Sequence, residues 1–163
     1  MTPGDAFPFQ TQEHDHASCI ARALRRAEAL CLEQGQRLTS LRRRVLELIW
    51  SRHKPVGAYA LLEELQKEGR AAPPTVYRAL DFLRQAGLVH RVESLNAFVG
   101  CAFAGKPHEA QFLICESCRE LAEVEIPRLA ETIGAATESS GFTPRRSTIE
   151  VLGLCPNCSK EQP

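Results

Sequence analysis

The sequence predicts an α+β chain in two parts, an N-terminal winged helix-turn-helix unit and then a small α/β unit stapled at four cysteines. Three observations carry that expectation. Four segments between residues 18 and 86 repeat apolar residues at helical spacing, and the period then shortens to two across Leu88–Cys101. Two Cys-x-x-C pairs, Cys115-Glu-Ser-Cys118 and Cys155-Pro-Asn-Cys158, stand in the last third of the chain.

Residues 1–16 carry prolines, a glycine and polar residues without a period, and read as a flexible tail. His14 and His16 flank Asp15 there, an arrangement more often found in plain tails than at metal sites. From Ser18 to about Gln34, Ile20, Leu24, Ala27 and Cys31 mark one helical face, and Gly35 is placed to end it. Cys19 and Cys31 lie about 120° apart around that helix and read as small buried side chains. Thr39 or Ser40 caps a second helix with Leu41, Val45, Leu48 and Ile49 inward. Its first turn carries Arg42, Arg43 and Arg44, and positive charge there opposes the helix dipole unless an anion such as phosphate is near. A third helix runs from Gly57 through Tyr59, Leu61, Leu62 and Leu65 to Gly69.

Pro73-Pro74 opens the fourth helix, where proline costs no hydrogen bond. Val76, Leu80 and Leu83 point inward, leaving Thr75, Tyr77, Arg78 and Asp81 on the early outward side. That is the layout of a helix-turn-helix whose second helix presents its first residues to a major groove. Leu88–Glu93 and Ala97–Cys101 then form a hairpin, which makes the unit a winged helix. Ala104-Gly105-Lys106-Pro107 reads as a linker. The expected organisation is a winged-helix unit over 17–103, a hinge over 104–109 and a second unit over 110–163. In that second unit, Gln111–Cys115, Leu121–Ile126 and Thr148–Leu154 read as strands, and a helix opens at Pro127.

The formal net charge of zero hides an asymmetry. Residues 19–91 hold 14 Lys and Arg against 7 Asp and Glu, while residues 92–163 hold 6 against 10. A basic half joined to an acidic half points to a polyanion-binding module fused to something else. No apolar run reaches the roughly 18 residues that span a bilayer, and no export signal is present. Seven cysteines, an odd number, then argue for reduced thiols, and the expected location is the cytoplasm.

Two knuckles in one short unit offer the tetrahedral thiolate set of a structural zinc site, assigned to Cys115, Cys118, Cys155 and Cys158. A single Cys-x-x-C could be a redox dithiol, but a second in the same unit favours coordination. The base-deaminase arrangement fails because no His-x-Glu occurs. His90, Cys101 and His108 gather around the linker beside the carboxylate-rich stretch Glu120, Glu123 and Glu125. Each has an ordinary reading alone, and periodicity does not join them into a site. No nucleophile is paired with a base and no glycine loop cradles phosphate, so the expectation is a protein that is not an enzyme and has no small-molecule substrate.

The run Pro73-Pro74-Thr75-Val76-Tyr77-Arg78-Ala79-Leu80-Asp81-Phe82-Leu83, with Gly87–Ser94 and the two knuckles, resembles the ferric uptake regulator family. Within it, the likeness is to the zinc uptake regulator branch, over residues 20 to 160. The resemblance implies a homodimeric repressor of zinc uptake genes that binds operator DNA when zinc is replete. It implies two Zn²⁺ per chain, one structural at the four knuckle cysteines and one regulatory at His90, Cys101, His108 and Glu123. It also implies that the second unit is a dimerisation domain. DNA contacts are expected from Tyr59, Thr75, Tyr77 and Arg78, with Arg37, Arg42 and Arg43 on phosphates.

Two departures stand out. Leu41 replaces the glutamine common in the family, and only His108 stands where many members carry a histidine cluster. A third metal site is thus left without its usual ligands. Two imidazoles, a thiolate and a carboxylate form a set soft enough to favour zinc over iron or manganese. The alternatives are a regulator of this architecture sensing iron, peroxide or nickel, and a zinc-ribbon adaptor between proteins.

Overall fold

The computed structural model describes residues 6–7, 9, 15–52, 54–69 and 72–160. In chain order the elements are β1 (Ala6–Phe7), α1 (His16–Glu33), α2 (Ser40–Trp50), α3 (Ala58–Lys67), α4 (Pro73–Gln85), β2 (Val89–Val92), β3 (Ala97–Gly100), β4 (Ala110–Cys115), β5 (Leu121–Val124), α5 (Pro127–Ser139), β6 (Thr148–Gly153) and α6 (Pro156–Lys160). They divide into two compact units, Gln10–Lys106 and Pro107–Pro163, with Met1–Phe9 grouped with the latter.

The first unit is a winged helix-turn-helix. The Asp15 carboxylate caps α1 by accepting from Ala17 N at 3.1 Å, and Thr39 caps α2 through Arg42 N. Gly35, at φ +64°, carries the chain out of α1 while Gln36 N donates to Cys31 O at 2.7 Å. Helix α2 is the hub, packing on α1, α3, α4 and β3. A helix touched on several sides buries a wide arc, which explains a departure from the expected stripe. Val45, Leu46 and Ile49 are fully buried, whereas Leu41 and Leu48 are half-buried at the edges. Helix α4 buries Val76, Ala79, Leu80 and Leu83, and Gly87 at φ +69° turns the chain so that Leu88 N reaches Leu83 O.

The wing hairpin pairs Val89 with Gly100, His90 with Val99, Arg91 with Phe98 and Val92 with Ala97. Asn96, at φ +46°, makes the turn, a conformation asparagine tolerates better than most residues. Val56 and Phe98 exchange both backbone hydrogen bonds, at 2.8 and 2.9 Å, which ties the segment before α3 to the wing.

The second unit is a four-stranded sheet in the order β1-β5-β4-β6. Strand β4 pairs antiparallel with β5 and parallel with β6, and the connection to β6 contains α5. Phe112, Ile114, Leu121 and Ala122 are buried in it. Much of the expected tail at 1–16 lies outside the described residues. Of the rest, Ala6–Phe7 pairs with Val124 and Glu123 at the β5 edge, and His16 already belongs to α1. Two-residue pairing of this kind leaves no period to read.

Leu46 tests the hub. Leu46→Ala should lower stability by about 2–5 kcal/mol through lost burial and a residual cavity. Urea unfolding followed by circular dichroism would measure it.

Candidate metal centres and nucleic-acid interface

The parallel pairing of β4 with β6 aligns Cys115 with Gly153, so the two knuckles leave adjacent strands at the same end. After β4 the chain turns through Arg119 at φ +64°, with Arg119 N bonded to Cys115 O. After β6 it enters α6, a short helix that the sequence pattern did not reveal, with Cys158 on it. Glu116 N donates to Gly153 O at 2.8 Å and stitches the knuckles together.

All four sulfurs lie within 4.8 Å of one another, and all four cysteines are free of disulfides. Cys118 Sγ and Cys155 Sγ are 3.8 Å apart. A tetrahedron with Zn–S bonds of about 2.3 Å has an edge of about 3.8 Å, so the spacing fits zinc. Backbone N–H groups already face the sulfurs, from Cys155 N to Cys115 Sγ at 3.4 Å and from Cys158 N to Cys155 Sγ at 3.5 Å.

Burial opposes ionisation of Cys115, but hydrogen bonds from the Cys118 and Cys155 backbones outweigh it and pull that thiol down to about 6. Burial, reinforced by the neighbouring thiols, pushes Cys118 up to about 12. One thiolate forms readily while burial and neighbouring thiols resist the ionisation of Cys118, a resistance that a divalent cation reverses.

The other candidate ligands fall into two pairs, one in each unit. On the wing, Cys101 N donates to Leu88 O at 3.0 Å and continues the ladder beyond β3. The Cys101 sulfur lies within 4.8 Å of a His90 ring nitrogen. Cys101 is 4% exposed and His90 is half-buried. In the second unit, His108 Nε2 lies 3.0 Å from Glu123 Oε1, with both side chains buried. A carboxylate buried to this depth needs a cation or hydrogen-bond donors. Here an imidazole faces it, and imidazole is itself a metal ligand.

Of the neighbouring carboxylates, Glu125 lines an open cavity of about 420 Å³ with Glu109, Gln111, Ile126 and Ala130 among its walls. Gln111, which sequence reasoning missed, is buried and accepts from Ile126 N at 3.1 Å. It reads from the sequence as an ordinary polar strand residue, because nothing local marks it as inward.

Thr75, Tyr77, Arg78 and Asp81 are exposed along the start of α4, and Tyr59 is 74% exposed at the start of α3. Arg37 is exposed as well. The three arginines of α2 have intramolecular partners that the sequence did not reveal. Arg42 stacks over the Phe82 ring at 3.5 Å and donates to Arg37 O at 2.6 Å. Arg43 pairs with Glu28 and Glu47, and Arg44 with Glu68 and Glu47. These carboxylates, with the Phe82 ring, offset the dipole penalty, so phosphate is not needed to explain the three charges. His14 lies outside the described residues, and Cys19 and Cys31 are buried on α1. Burial also pushes the Cys31 thiol up, as expected of a core residue.

Residues 33–152, more than half of the chain, match the profile of the ferric uptake regulator family. The chain belongs to that family. It is 39% identical over 137 residues to the zinc uptake regulation protein of Escherichia coli K12, a match covering 83% of this chain and 80% of that one. Among solved structures, it is similar to a zinc uptake regulator complexed with zinc and DNA, with a TM-score of 0.82 and 34% identity over 92% of this chain and 99% of that one. It is also similar to the crystal structure of holo XcZur, with a TM-score of 0.79 and 44% identity over 84% and 96%. Where many family members carry glutamine, Leu41 is half-buried against the core of the first unit.

The four-sulfur cluster yields a direct expectation. Cys155→Ser should abolish one tightly held zinc and unfold the C-terminal unit, since structural zinc contributes about 10–16 kcal/mol in small metal-dependent domains. Metal analysis alongside thermal unfolding would check this. Full zinc content with unchanged unfolding would contradict it.

Proposed function

We propose that this chain is a zinc-responsive, DNA-binding transcriptional repressor of zinc uptake genes that works as a homodimer. The observation that supports this reading is that each unit holds a pair of candidate donors. The wing hairpin holds an imidazole and a thiol, His90 and Cys101, and the C-terminal unit holds an imidazole and a carboxylate, His108 and Glu123. A zinc ion shared by these four residues would supply a cross-link between DNA-binding and dimerisation units. Each chain would thus hold two zinc ions, one permanent at Cys115, Cys118, Cys155 and Cys158 and one regulatory.

The thiol of Cys101 argues for zinc over iron or manganese, which favour oxygen and nitrogen donors. His108 and Glu123 already face each other at 3.0 Å, which keeps an imidazole and a carboxylate side by side as donors. To move the chain from 1:99 to 99:1 in favour of the DNA-competent state, zinc must prefer that state by about 5.5 kcal/mol.

For DNA, the exposed start of α4 supplies Thr75, Tyr77 and Arg78 to a major groove, and Tyr59, Arg37, Arg42 and Arg43 lie on phosphates. The groups without strong internal partners carry most of this work, because Arg42 and Arg43 must exchange Phe82, Glu28 and Glu47 for phosphate. Self-association is supported by β6, the sheet edge, where Val151 and Leu152 are about half exposed. Phe142 and Leu154 add further exposed apolar surface. Edges of this kind pair with another chain unless protected.

Two variants divide the labour. Cys101→Ser should retain one zinc per chain and the dimer but lose zinc-dependent operator binding in gel shifts across a buffered zinc series. Normal repression at limiting zinc would remove Cys101 from the sensor. Arg78→Ala should weaken operator binding by about 1–3 kcal/mol at fixed salt, measured by fluorescence anisotropy, and leave zinc content unchanged.

A further inference from the structure

Trp50, the chain's one tryptophan, closes α2 and lies against Gly100 at the end of β3. A methyl group on Gly100 would fall inside the indole, in conflict with its Cε2, Nε1 and Cζ2 atoms. Among the described residues the glycines at positive φ all lie in turns, but Gly100 sits in ordinary strand backbone. Its lack of a side chain is therefore required by the indole and not by the backbone. Glycine weakens a strand and marks a close approach by another group. Here the approaching group is the aromatic ring.

The next residue is Cys101, and across the ladder Gly100 pairs with Val89, the neighbour of His90. Cys101 is thus anchored on both sides, by its own N–H to Leu88 O and by the indole seated on the residue before it. Ligands held in place before the metal arrives bind it more tightly.

We propose that Trp50 is a positioning residue for the zinc-responsive site, fixing through Gly100 the strand end that carries Cys101 and His90. The inference rests on the reading of Cys101 as a metal ligand. A tryptophan that only filled the core would not require a glycine beneath it, nor act selectively on this pair.

The test uses the full chain with its four-cysteine site filled by one equivalent of zinc, then titrated with Co²⁺. In the wild type, a thiolate-to-cobalt charge-transfer band that Cys101→Ser removes reports the second site. Trp50→Leu should weaken cobalt binding there at least tenfold and diminish that band, with the first zinc and the helical circular dichroism unchanged. Trp50→Phe, which keeps a ring, should recover much of the affinity. Gly100→Ala should reproduce the loss, and combining it with Trp50→Leu should add little, because both remove one contact. If Trp50→Leu does not fold, Gly100→Ala and Trp50→Phe decide. Wild-type cobalt affinity and band in Trp50→Leu, or in Gly100→Ala, would overturn the proposal. Absence of any Cys101-dependent band in the wild type would instead overturn the reading of Cys101 as a ligand, and the proposal with it.

Discussion

A carboxylate at 2% exposure in a strand with neighbours on both sides has to be matched by a positive or donating group. Glu123 is that carboxylate, with β1 and β4 flanking it and His108 at 3.0 Å. The imidazole meets part of the desolvation cost of Glu123, and the two groups together form a buried pair whose residue types are those of metal ligands. Buried acid of this kind is poorly suited to a solvated surface role and well suited to a ligand set.

The cysteines separate by environment. Cys19 and Cys31 are buried on one helix. Cys115, Cys118, Cys155 and Cys158 are brought together by two parallel strands, with backbone N–H groups facing the sulfurs. Cys101 lies apart from both sets, beside an imidazole and next in the chain to the glycine on which Trp50 is seated. The four knuckle thiols belong to a single unit, whereas Cys101 belongs to the winged-helix unit with His90. Helix α2 is engaged at both ends, since Arg42 in its first turn stacks on Phe82 of α4 and Trp50 at its end seats β3.

What was legible in the sequence was local. The four helices, the hairpin, α5 and the knuckles follow from apolar period, proline and glycine placement and cysteine spacing, and the elements lie where those signals put them. The candidate ligands were legible as residue types but not as a set, and it is the hairpin register, pairing His90 with Val99, that brings Cys101 beside His90. Partners distant in sequence were not legible. The parallel register of β4 and β6, the β1 strand, the Val56 bridge and the carboxylates that hold Arg43 and Arg44 all join segments that local pattern treats as independent. Leu46 was missed because the period marks one face, whereas a hub helix buries more than one. The Trp50–Gly100 contact was invisible because a strand glycine by itself does not say what approaches it.

Coupling between zinc and DNA has a thermodynamic signature that does not depend on any single contact. If zinc at the second site strengthens operator binding by some factor, operator DNA must strengthen zinc binding by that same factor. The decisive measurement is zinc affinity, by competition with a calibrated chelator, for the chain loaded at its four-cysteine site, with and without saturating operator DNA. Zinc should bind more tightly with DNA present, by the factor seen in the reverse experiment, with no such change in Cys101→Ser. Equal zinc affinity with and without DNA would contradict it.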